Sequence, residues 1–443
     1  MFFHLIKRFN SSTSSSFSDF IICGGGLIGT TVASTLAKQP CFSDKTVTLI
    51  EANPEQTSTL PQTYSNRVSA ISSFSKNLFE RLGIWKRVRR FKTVDKLKIL
   101  GVYSDNALEL DNKGDVVAYI VENNELVQAV YEELRTLNNV KIIHGKNIAN
   151  INCLNSPKVI LEDGSSLNCQ LLIGSDGTNS KVRKAMGVEY LSWSYEQMGV
   201  VATLNVVPSG LNLVNSVAWQ KFLPDGPVAL LPLSNDMSSL VWSTTKEKAQ
   251  NLLSIPKDNF IDALNSSLET KLKPNQLTDV ANKGVDKLMK SLGLMPSLIT
   301  SEIPPIVSDI VEGSRAAFPL GFGHSVHYVC PNIVLIGDAA HRVHPLAGQG
   351  VNLGFKDITI LEQVLTDGYK NGRDLGDIND LRKYETLCQQ NNVPVMAFIE
   401  LIHRVYTSEF PPFQTLGDIS LKLANTIGLF KDQINKGALF LRS

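Results

Sequence analysis

A run of small and polar residues late in the chain has the composition of a ligand site and not of a core. The run GDAAHRVHPLAGQGVNLG occupies residues 337–354 and directly follows the apolar segment PNIVLI. It combines an acid, histidines, a proline and glycines, a mixture that would pack poorly in a hydrophobic interior. Asp338 ends the predicted strand, at the edge where open α/β sheets bind ligands. A carboxylate there can bind the hydroxyl groups of a polyol, so we expect these residues to surround a bound molecule.

The glycines of this run precede a predicted helix, NLGFKDITILEQVL. Gly348, Gly350 and Asn352 lie at its start, where free backbone N–H groups and the helix dipole favour negative charge. These N–H groups could stabilise negative charge on a bound ring. His341 and His344 invite a metal interpretation, but no third nitrogen, sulfur or carboxylate ligand is evident. We therefore expect packing roles for both histidines and no metal site.

A second set of residues, near the N-terminus, matches the dinucleotide-binding fingerprint G-x-G-x-x-G. Gly24, Gly26 and Gly29 follow the predicted strand DFIICG and open the predicted helix LIGTTVASTLAKQ. In such a turn the first glycine permits the tight turn, the second lets a pyrophosphate approach, and the third lets the helix pack on the strand. Glu51 ends the next predicted strand, where an acid can bind a ribose hydroxyl. This context favours a dinucleotide site over a purely structural glycine turn.

A third segment, DGTNSKVR at residues 176–183, follows another apolar strand. Its acid, glycine, serine and arginine fit a ligand-binding turn. They fit an N-capped strand-to-helix turn equally well, because serine and aspartate are favoured caps. Taken alone, this segment leaves both interpretations open.

The elements that must position these motifs form an α/β pattern with a β-rich insertion. Helical periodicity covers residues 125–137, and strand-like segments separated by turns cover 190–245. The other predicted elements are a helix around 75–90, a hairpin turning at Asp163 and Gly164, a largely helical stretch at 246–300 and a helix through about 365. We expect a nucleotide-binding unit that the insertion interrupts and that then resumes.

Composition places the chain among ordinary globular proteins. It has 443 residues, 43% of them hydrophobic, and a net charge of +1, so no global field attracts nucleic acid, and no nucleic-acid-reading motif is evident. Its six cysteines form no closely spaced pair, which argues against a zinc site or a disulfide framework and is typical of a reducing compartment. No run of about 18 apolar residues occurs, so we predict no transmembrane helix.

Together the three motifs resemble the signature of flavin-dependent aromatic hydroxylases of the para-hydroxybenzoate hydroxylase type. The late motif is similar to the ubiquinone-biosynthesis branch of that family, as are SNRVSAIS at 65–72 and FLPDGPVALLPL at 222–233. The resemblance covers roughly residues 19–405. It implies an α/β fold: a Rossmann-like FAD-binding domain with an inserted β-sheet substrate domain and a helical C-terminal tail.

The resemblance also assigns roles to residues of the late motif. It implies that Asp338 holds the ribityl chain of FAD. It implies further that the amides of Val351 and Asn352 face the pyrimidine edge of the flavin ring, where charge accumulates on reduction. Pro345 would lie against the ring, near the substrate.

Further contacts with FAD follow from the resemblance outside that motif. Arg67 and Asn123 fall where the family makes such contacts, and Asp176 and Arg183 fall near the pyrophosphate. The full set of expected cofactor-binding residues is Gly24, Gly26, Gly29, Glu51, Arg67, Asn123, Asp176, Arg183, Gly337, Asp338, Gly348, Gly350, Val351 and Asn352.

The chemistry implied by the resemblance is that of the flavin. O2 would react with reduced FAD to a C4a-hydroperoxyflavin, which hydroxylates C5 of 4-hydroxy-3-polyprenylbenzoate or a related prenylated intermediate. No side chain is needed as nucleophile or base, and none is evident. Electrons would come from NADPH, directly or through ferredoxin reductase and ferredoxin.

The first 18 residues, MFFHLIKRFNSSTSSSFS, have the composition of a mitochondrial transit peptide. They carry Lys7 and Arg8 and are rich in serine, with no acid before Asp19. A disordered tail is the alternative. With the resemblance, this segment implies a mitochondrial enzyme, peripheral on the matrix side of the inner membrane and part of a coenzyme Q biosynthetic complex.

Two segments could contact lipid or an acidic electron carrier. They are the basic run IWKRVRRFK at 84–92 and the tail that begins VPVMAFIELIHRVY at 393–406, whose two apolar-rich helices are separated by Pro411 and Pro412. A solvated helix face and core helices, respectively, are the interpretations we favour.

The predicted domain division follows from these assignments. It comprises a transit peptide at 1–18, the first part of the FAD-binding domain at 19–189, the substrate domain at 190–330, the resumed FAD-binding domain at 331–390 and C-terminal helices at 391–443.

Two other functions stay open at this point. The same flavin chemistry could act at another ring position, C1, or on another phenolic lipid. A non-catalytic prenyl-binding carrier with a flavoprotein fold is the other alternative. The intact Asp338 and GQG loop argue against a carrier, because a carrier has no need of a flavin-edge site.

Overall fold

The computed structural model describes residues 15–55, 61–101, 107–112, 114–153, 156–208, 214–269, 276–291, 303–408 and several residues between 410 and 420. The strands are β1 (Ser15–Cys23), β2 (Val47–Ile50), β3 (Val68–Ile71), β4 (Lys92–Val94), β5 (Lys96–Leu100), β6 (Ala107–Asp111), β7 (Ala118–Glu122), β8 (Val140–Ile143), β9 (Ile148–Asn152), β10 (Lys158–Leu161), β11 (Ser166–Gly174), β12 (Tyr190–Val207), β13 (Val217–Leu223), β14 (Gly226–Pro232), β15 (Met237–Thr245), β16 (Ile306–Ile310), β17 (Ala316–Ser325), β18 (Val329–Cys330), β19 (Ile333–Leu335) and β20 (His341–Arg342). The helices are α1 (Leu27–Lys38), α2 (Ser73–Arg81), α3 (Asn123–Leu134), α4 (Lys181–Met186), α5 (Lys246–Ser254), α6 (Lys257–Glu269), α7 (Gln276–Ser291), α8 (Gly350–Lys370) and α9 (Ile378–Thr407).

The first sheet forms a Rossmann-like unit and brings the three motifs together. Its strand order is β18-β19-β11-β1-β2-β8, with β10 and β9 continuing from β11. Strand β1 is parallel to β2 and β11, and β11 is parallel to β19. In this register Cys23 lies opposite Gly174, and Gly174 lies opposite Leu335. The turns that follow these residues therefore meet at one edge of the sheet, where α/β folds bind ligands.

The core of this unit lies around the central strands. Phe20, Ile21 and Ile22 of β1 have no exposed surface. Helix α1 packs against both α3 and α8, which covers the sheet. A parallel strand that is buried on both faces reads as a continuous apolar run, and this explains the sequence pattern of β1.

The second sheet is antiparallel in most of its pairs and takes strands from three parts of the chain. Its order is β20-β17-β12-β15-β14-β13-β5-β6, with β16 beside β12. Strands β12 to β15 lie in the β-rich stretch that the sequence predicts. Strands β5 and β6 come from the predicted first part of the FAD-binding domain, and β20 comes from its resumed part. The sheet thus crosses the predicted boundaries at residues 190 and 330, and the domain division stays a prediction.

Most local predictions are confirmed, and the helix predicted around 75–90 is wrong in extent. Helix α2 ends at Arg81. Gly83, at φ +70°, then adopts a left-handed conformation that ends the helix, and a short 3-10 turn follows at Trp85–Arg87. The hairpin at Gly164 is present, with β10 antiparallel to β11.

The two ends of the chain differ from the predicted boundaries. Residues Ser15–Ser18, the end of the predicted transit peptide, pair with β11, and the residues before them lie outside the described part. At the other end, α9 continues through the boundary predicted at 390 and through Pro394. The second predicted tail helix lies outside the described residues.

Candidate functional site

The glycine turn after β1 has three different environments at its fingerprint positions. Gly24 has φ +102°, and a Cβ there would lie 2.5 Å from the carbonyl oxygen of Ser175. A Cβ at Gly29 would lie 1.8 Å from the oxygen of Gly24, so α1 approaches the turn as closely as a glycine permits. A Cβ at Gly26 would meet no atom within 4 Å. Gly24 and Gly29 therefore build the turn, and Gly26 leaves space beside it.

Glu51 follows β2 and is held against this turn. Its Oε2 accepts a hydrogen bond from the Gly25 N–H at 2.6 Å, and its Oε1 accepts one from the Asn53 N–H at 2.7 Å. Tyr131 of α3 donates to the Gly25 carbonyl at 3.0 Å. These contacts fix the carboxylate at the mouth of the turn, the position that the sequence predicts for a ribose-binding acid.

A cavity of about 730 Å³ extends from the glycine turn to the second sheet. The predicted site residues that line it are Gly26, Arg67, Asn123, Asp338, Pro345, Gly348, Gly350, Val351 and Asn352. The predicted residues that do not line it are Gly24, Gly29, Glu51, Asp176, Arg183 and Gly337. The opposite wall is mostly apolar and includes Val201, Leu231 and Val241 on neighbouring strands of the second sheet. Sequence reasoning did not identify this wall, although the alternating pattern of the strands points one set of side chains to a common face.

Asp338 lies at the centre of the predicted site. Its side chain is open to the cavity. The surrounding protein walls nonetheless desolvate it and raise the pKa of its carboxyl group above the ordinary value, while His341 and Arg342 oppose that effect. A carboxyl group in this position can accept hydrogen bonds from the hydroxyl groups of a polyol chain, and when protonated it can also donate one to them.

The loop that carries Asp338 is held by a buried ion pair that sequence reasoning missed. Asp357 of α8 accepts hydrogen bonds from His341 Nε2 at 2.6 Å, from the Gly337 N–H at 3.0 Å and from Asn392 Nδ2 at 2.9 Å. Burial lowers the pKa of His341, but the Asp357 carboxylate outweighs that effect and the pKa is raised. His341 thus has a packing role, as expected, and also a charge-pairing one.

His344 has the packing role that the sequence predicts. It is fully buried, and its ring lies against Tyr195 and His403 at centroid distances of 5.2 and 4.8 Å. Its Nδ1 accepts a hydrogen bond from the Leu346 N–H at 3.2 Å. Burial lowers its pKa to about 3, so it is neutral at physiological pH. Within the described ranges, no cluster of histidine, cysteine and acidic side chains suited to a metal ion occurs.

The start of α8 presents backbone N–H groups to the cavity. The helix begins at Gly350, and in the described part no side chain caps its first turn. The Asn352 side chain is buried and links α8 to the β3–α2 segment. It donates to the Ala70 carbonyl at 2.8 Å and accepts from Ser75 Oγ at 2.9 Å. The backbone N–H of Asn352 can therefore face a ligand, while its side chain holds the helix in place.

Asp176 and Arg183 lie behind the cavity wall. Asp176 accepts hydrogen bonds from Ser180 Oγ and from the Lys181 N–H, which caps α4. Arg183 is buried and donates to the carbonyls of Thr178 at 2.6 Å and Ala339 at 2.8 Å. This geometry positions the DGTNS turn against the loop of Asp338, and direct contact of either side chain with a cofactor stays a prediction.

The three arginines of the basic run at 84–92 form ion pairs within the fold. Arg87 pairs with Glu133, Arg89 with Glu132, and Arg90 with Glu122. Glu122 is only 2% exposed, so its pair with Arg90 is largely internal. These pairs favour the structural interpretation of the run over an anion-binding one.

The residues present fit FAD. Gly26 with its open space, Asp338 and the uncapped start of α8 line the cavity, and the Glu51 carboxylate is held against the glycine turn. In the order of the parts of FAD, the ribose is matched by Glu51, the pyrophosphate by Gly26, the polyol chain by Asp338, and the ring that gains negative charge by the start of α8.

Comparisons with known proteins agree with this fit. The FAD binding domain family matches residues 18–290 and 325–390. The chain is 43% identical over 441 residues to the mitochondrial ubiquinone biosynthesis monooxygenase COQ6 of Drosophila melanogaster, covering 97% of this chain and 91% of the relative. It is 37% identical to the human protein of the same name, over 97% of this chain and 94% of the human protein.

Solved structures show the same fold. The p-nitrophenol 4-monooxygenase PnpA of Pseudomonas putida superimposes with a TM-score of 0.70 at 15% identity, over 97% of this chain and 100% of that one. PqsL of Pseudomonas aeruginosa, a probable FAD-dependent monooxygenase, superimposes with a TM-score of 0.65 at 17% identity, over 91% of this chain and 100% of PqsL. The chain therefore belongs to the family of ubiquinone biosynthesis monooxygenases, and it is an FAD-dependent aromatic-ring hydroxylase of that family.

Proposed function

We propose that this enzyme hydroxylates C5 of the aromatic ring of 4-hydroxy-3-polyprenylbenzoate or a closely related prenylated intermediate. One observation carries the proposal. The cavity that begins at the predicted flavin site continues without a break along an aliphatic wall of the second sheet. An apolar chamber of this kind suits a ring that carries a hydrocarbon chain.

Individual residues are assigned to the cofactor within this proposal. Gly26 admits the pyrophosphate, Glu51 binds a ribose hydroxyl, and Asp338 binds the ribityl chain. The N–H groups of Val351 and Asn352 stabilise negative charge at the pyrimidine edge of the ring. FAD, when bound, supplies the activation of O2 and the transfer of one oxygen atom to the substrate.

The remaining task of the chain is to orient the substrate and to exclude water. Pro345 borders the cavity between the start of α8 and the second sheet. Val201, Leu231 and Val241 form an aliphatic wall that keeps water from the reacting atoms. No side chain is assigned as a nucleophile or base.

We place the enzyme at the matrix side of the mitochondrial inner membrane, peripherally bound, within a coenzyme Q biosynthetic complex. The named mitochondrial relatives support the compartment. In the described part of the chain no helix is long and apolar enough to span a bilayer. The apolar residues of α9 divide between core and surface, with Ile399 buried while Phe398 and Leu401, one helical turn apart, are 41% and 58% exposed. An exposed apolar face of this kind supports contact with lipid.

The test is mass spectrometry of lipid extracts from cells that lack this protein. We expect a prenylated hydroxybenzoate without the C5 hydroxyl to accumulate and to disappear when the wild-type gene is restored. Normal coenzyme Q with no such intermediate would contradict the ubiquinone assignment. An intermediate that lacks only the C1 hydroxyl would contradict the ring position.

The electron source needs a separate assay, with the purified FAD-loaded protein under anaerobic conditions. We propose that electrons pass from NADPH through ferredoxin reductase and ferredoxin. Flavin bleaching should then require both carrier proteins, and rapid bleaching by NADPH alone would contradict the carriers.

A further inference from the structure

Arg342 lies at the wall of the cavity on the short edge strand β20. Strand β20 pairs antiparallel with β17, where Arg342 lies opposite Gly323. The Arg342 side chain runs along β17 from Gly323 past Gly321, and its Nη2 donates to the Pro319 carbonyl at 2.5 Å. A Cβ at Gly321 would lie 3.2 Å from Nη1, so the glycine leaves room for the guanidinium. These contacts hold the guanidinium in place and bring the side chain to the cavity.

The charge on Arg342 is not balanced by an ion pair. Among the residues that the structure describes, no carboxylate oxygen lies within 4.0 Å of its guanidinium. Asp338 is near enough for Arg342 to lower its pKa, but the two do not form an ion pair. The arginines of the basic run differ in this respect, since each of them pairs with a glutamate. A half-buried guanidinium that lines a cavity and has no ion-pair partner favours an anionic ligand.

The surroundings of Arg342 define the rest of that ligand. Phe318 and Leu320 of β17 line the same wall, and the aliphatic face of the second sheet continues it. The ligand therefore has an apolar body and an anionic end. The start of α8 and Arg67, on the β3 side of the cavity, provide the positive groups near the predicted flavin. Arg342 lies on the second sheet, within electrostatic reach of Asp338.

We propose that Arg342 binds the carboxylate of the ring substrate and thereby sets the orientation of the ring. This inference rests on the function proposed above. A planar guanidinium binds a carboxylate through two parallel hydrogen bonds, which fixes both the position and the plane of the bound group. A ring held at its carboxylate then presents one edge to the flavin. Arg342 is thus a specificity-determining residue that acts through the end of the substrate opposite the phenol oxygen.

The test compares the binding of two ligands by isothermal titration calorimetry. The ligands are 4-hydroxy-3-(3-methylbut-2-enyl)benzoate and 2-(3-methylbut-2-enyl)phenol, which lacks the carboxylate. The proteins are the FAD-loaded wild type, Arg342→Gln and Arg342→Lys. The matched control is Arg373→Gln, which removes a guanidinium paired with Asp380 away from the cavity.

For Arg342→Gln we expect the Kd of the benzoate to rise by about 10- to 100-fold, the range expected for charge-assisted hydrogen bonds. The Kd of the phenol should change by no more than about twofold, because it makes no such bond. Arg342→Lys should recover part of the benzoate affinity, since lysine keeps the charge but loses the fork geometry. Arg373→Gln should bind both ligands like the wild type. The unchanged phenol affinity also verifies that Arg342→Gln is folded.

Three results would overturn this assignment. An unchanged benzoate affinity in Arg342→Gln would show that Arg342 does not bind the carboxylate. Equal losses for the benzoate and the phenol would indicate a structural role. If the wild type binds neither ligand, the proposed substrate itself is contradicted, and the assignment of Arg342 with it.

Discussion

At the scale of single residues, two glycines of the first turn are needed for different reasons. We expect Gly29 to be required for folding and Gly26 for binding the cofactor. Gly29 is crowded by the backbone of Gly24, whereas Gly26 has φ −71° and open space where its side chain would point. An alanine at Gly26 is therefore compatible with the fold, and it would place a methyl group where a pyrophosphate is expected to lie.

We expect Gly26→Ala and Gly29→Ala to fail in different ways. In Gly26→Ala the free energy of unfolding of the FAD-free protein should change by less than about 1 kcal/mol, while FAD affinity falls at least about tenfold. In Gly29→Ala the free energy of unfolding itself should fall by about 1–3 kcal/mol or more, because the backbone must shift. Urea denaturation and fluorescence titration with FAD measure the two effects.

Gly284 provides the control for this pair. It lies in α7, with no atom within 4 Å of its Cβ position. Gly284→Ala should stabilise the helix by about 0.5–1 kcal/mol and leave FAD affinity unchanged. Wild-type FAD affinity in Gly26→Ala would contradict the placement of the pyrophosphate at Gly26.

At the scale of elements, the ion pair between His341 and Asp357 joins α8 to the loop of Asp338. Both side chains are almost completely buried, and Asp357 also binds the Gly337 N–H. Because the pKa of His341 is raised in the folded protein, its protonation stabilises the fold. That stabilisation is fully present below about pH 6.5, the value for an unfolded histidine, and is lost as pH rises through the higher folded pKa.

We expect His341→Gln to remove this pH dependence. The variant should lose about 3–5 kcal/mol of unfolding free energy at pH 6, because Asp357 is left buried without its partner, and less at pH 9. Urea denaturation across this range measures the difference. A loss that stays constant with pH would mean that His341 is neutral in the folded protein.

At the scale of the whole molecule, the predicted transit peptide at 1–18 overlaps the first strand of the sheet, because β1 begins at Ser15. Ser18 is 2% exposed and donates to the carbonyls of Phe20 at 3.0 Å and Thr46 at 3.1 Å. It also accepts a hydrogen bond from Thr48 Oγ1 at 3.1 Å. Removal of a transit peptide at residue 18 would therefore break contacts that β1 makes with the sheet.

We expect two truncations to differ in stability. Deletion of residues 1–14 should change the unfolding free energy by less than about 0.5 kcal/mol, because it removes none of these contacts. Deletion of 1–18 should lower it by about 2–3 kcal/mol, through lost strand pairing and the unpaired Thr48 hydroxyl. Thermal or urea denaturation measures the unfolding free energy of both truncated proteins and of the full chain. Equal stability would mean that Ser15–Ser18 contributes nothing to the sheet.

Much of the fold and of the cofactor site could be predicted because the signals are local. A glycine turn between strand and helix, an acid at a strand end and a glycine-rich helix start each reflect a backbone requirement within a few residues. Parallel strands then bring such turns to one edge, as the register of Cys23, Gly174 and Leu335 shows.

The sequence by itself therefore determined the cofactor class, the order of elements and nine of the residues that line the cavity, most of them on the side of the glycine turn and of α8. Only the tertiary structure decided contacts between distant segments, since no periodicity encodes a partner far along the chain. It paired β5 with β13 across the predicted boundary. It joined Asp357 to Asn392, turned Arg183 toward the carbonyl of Ala339, and brought Arg342 to the cavity. These contacts depend on how helices and sheets pack, and that packing follows from the whole buried surface.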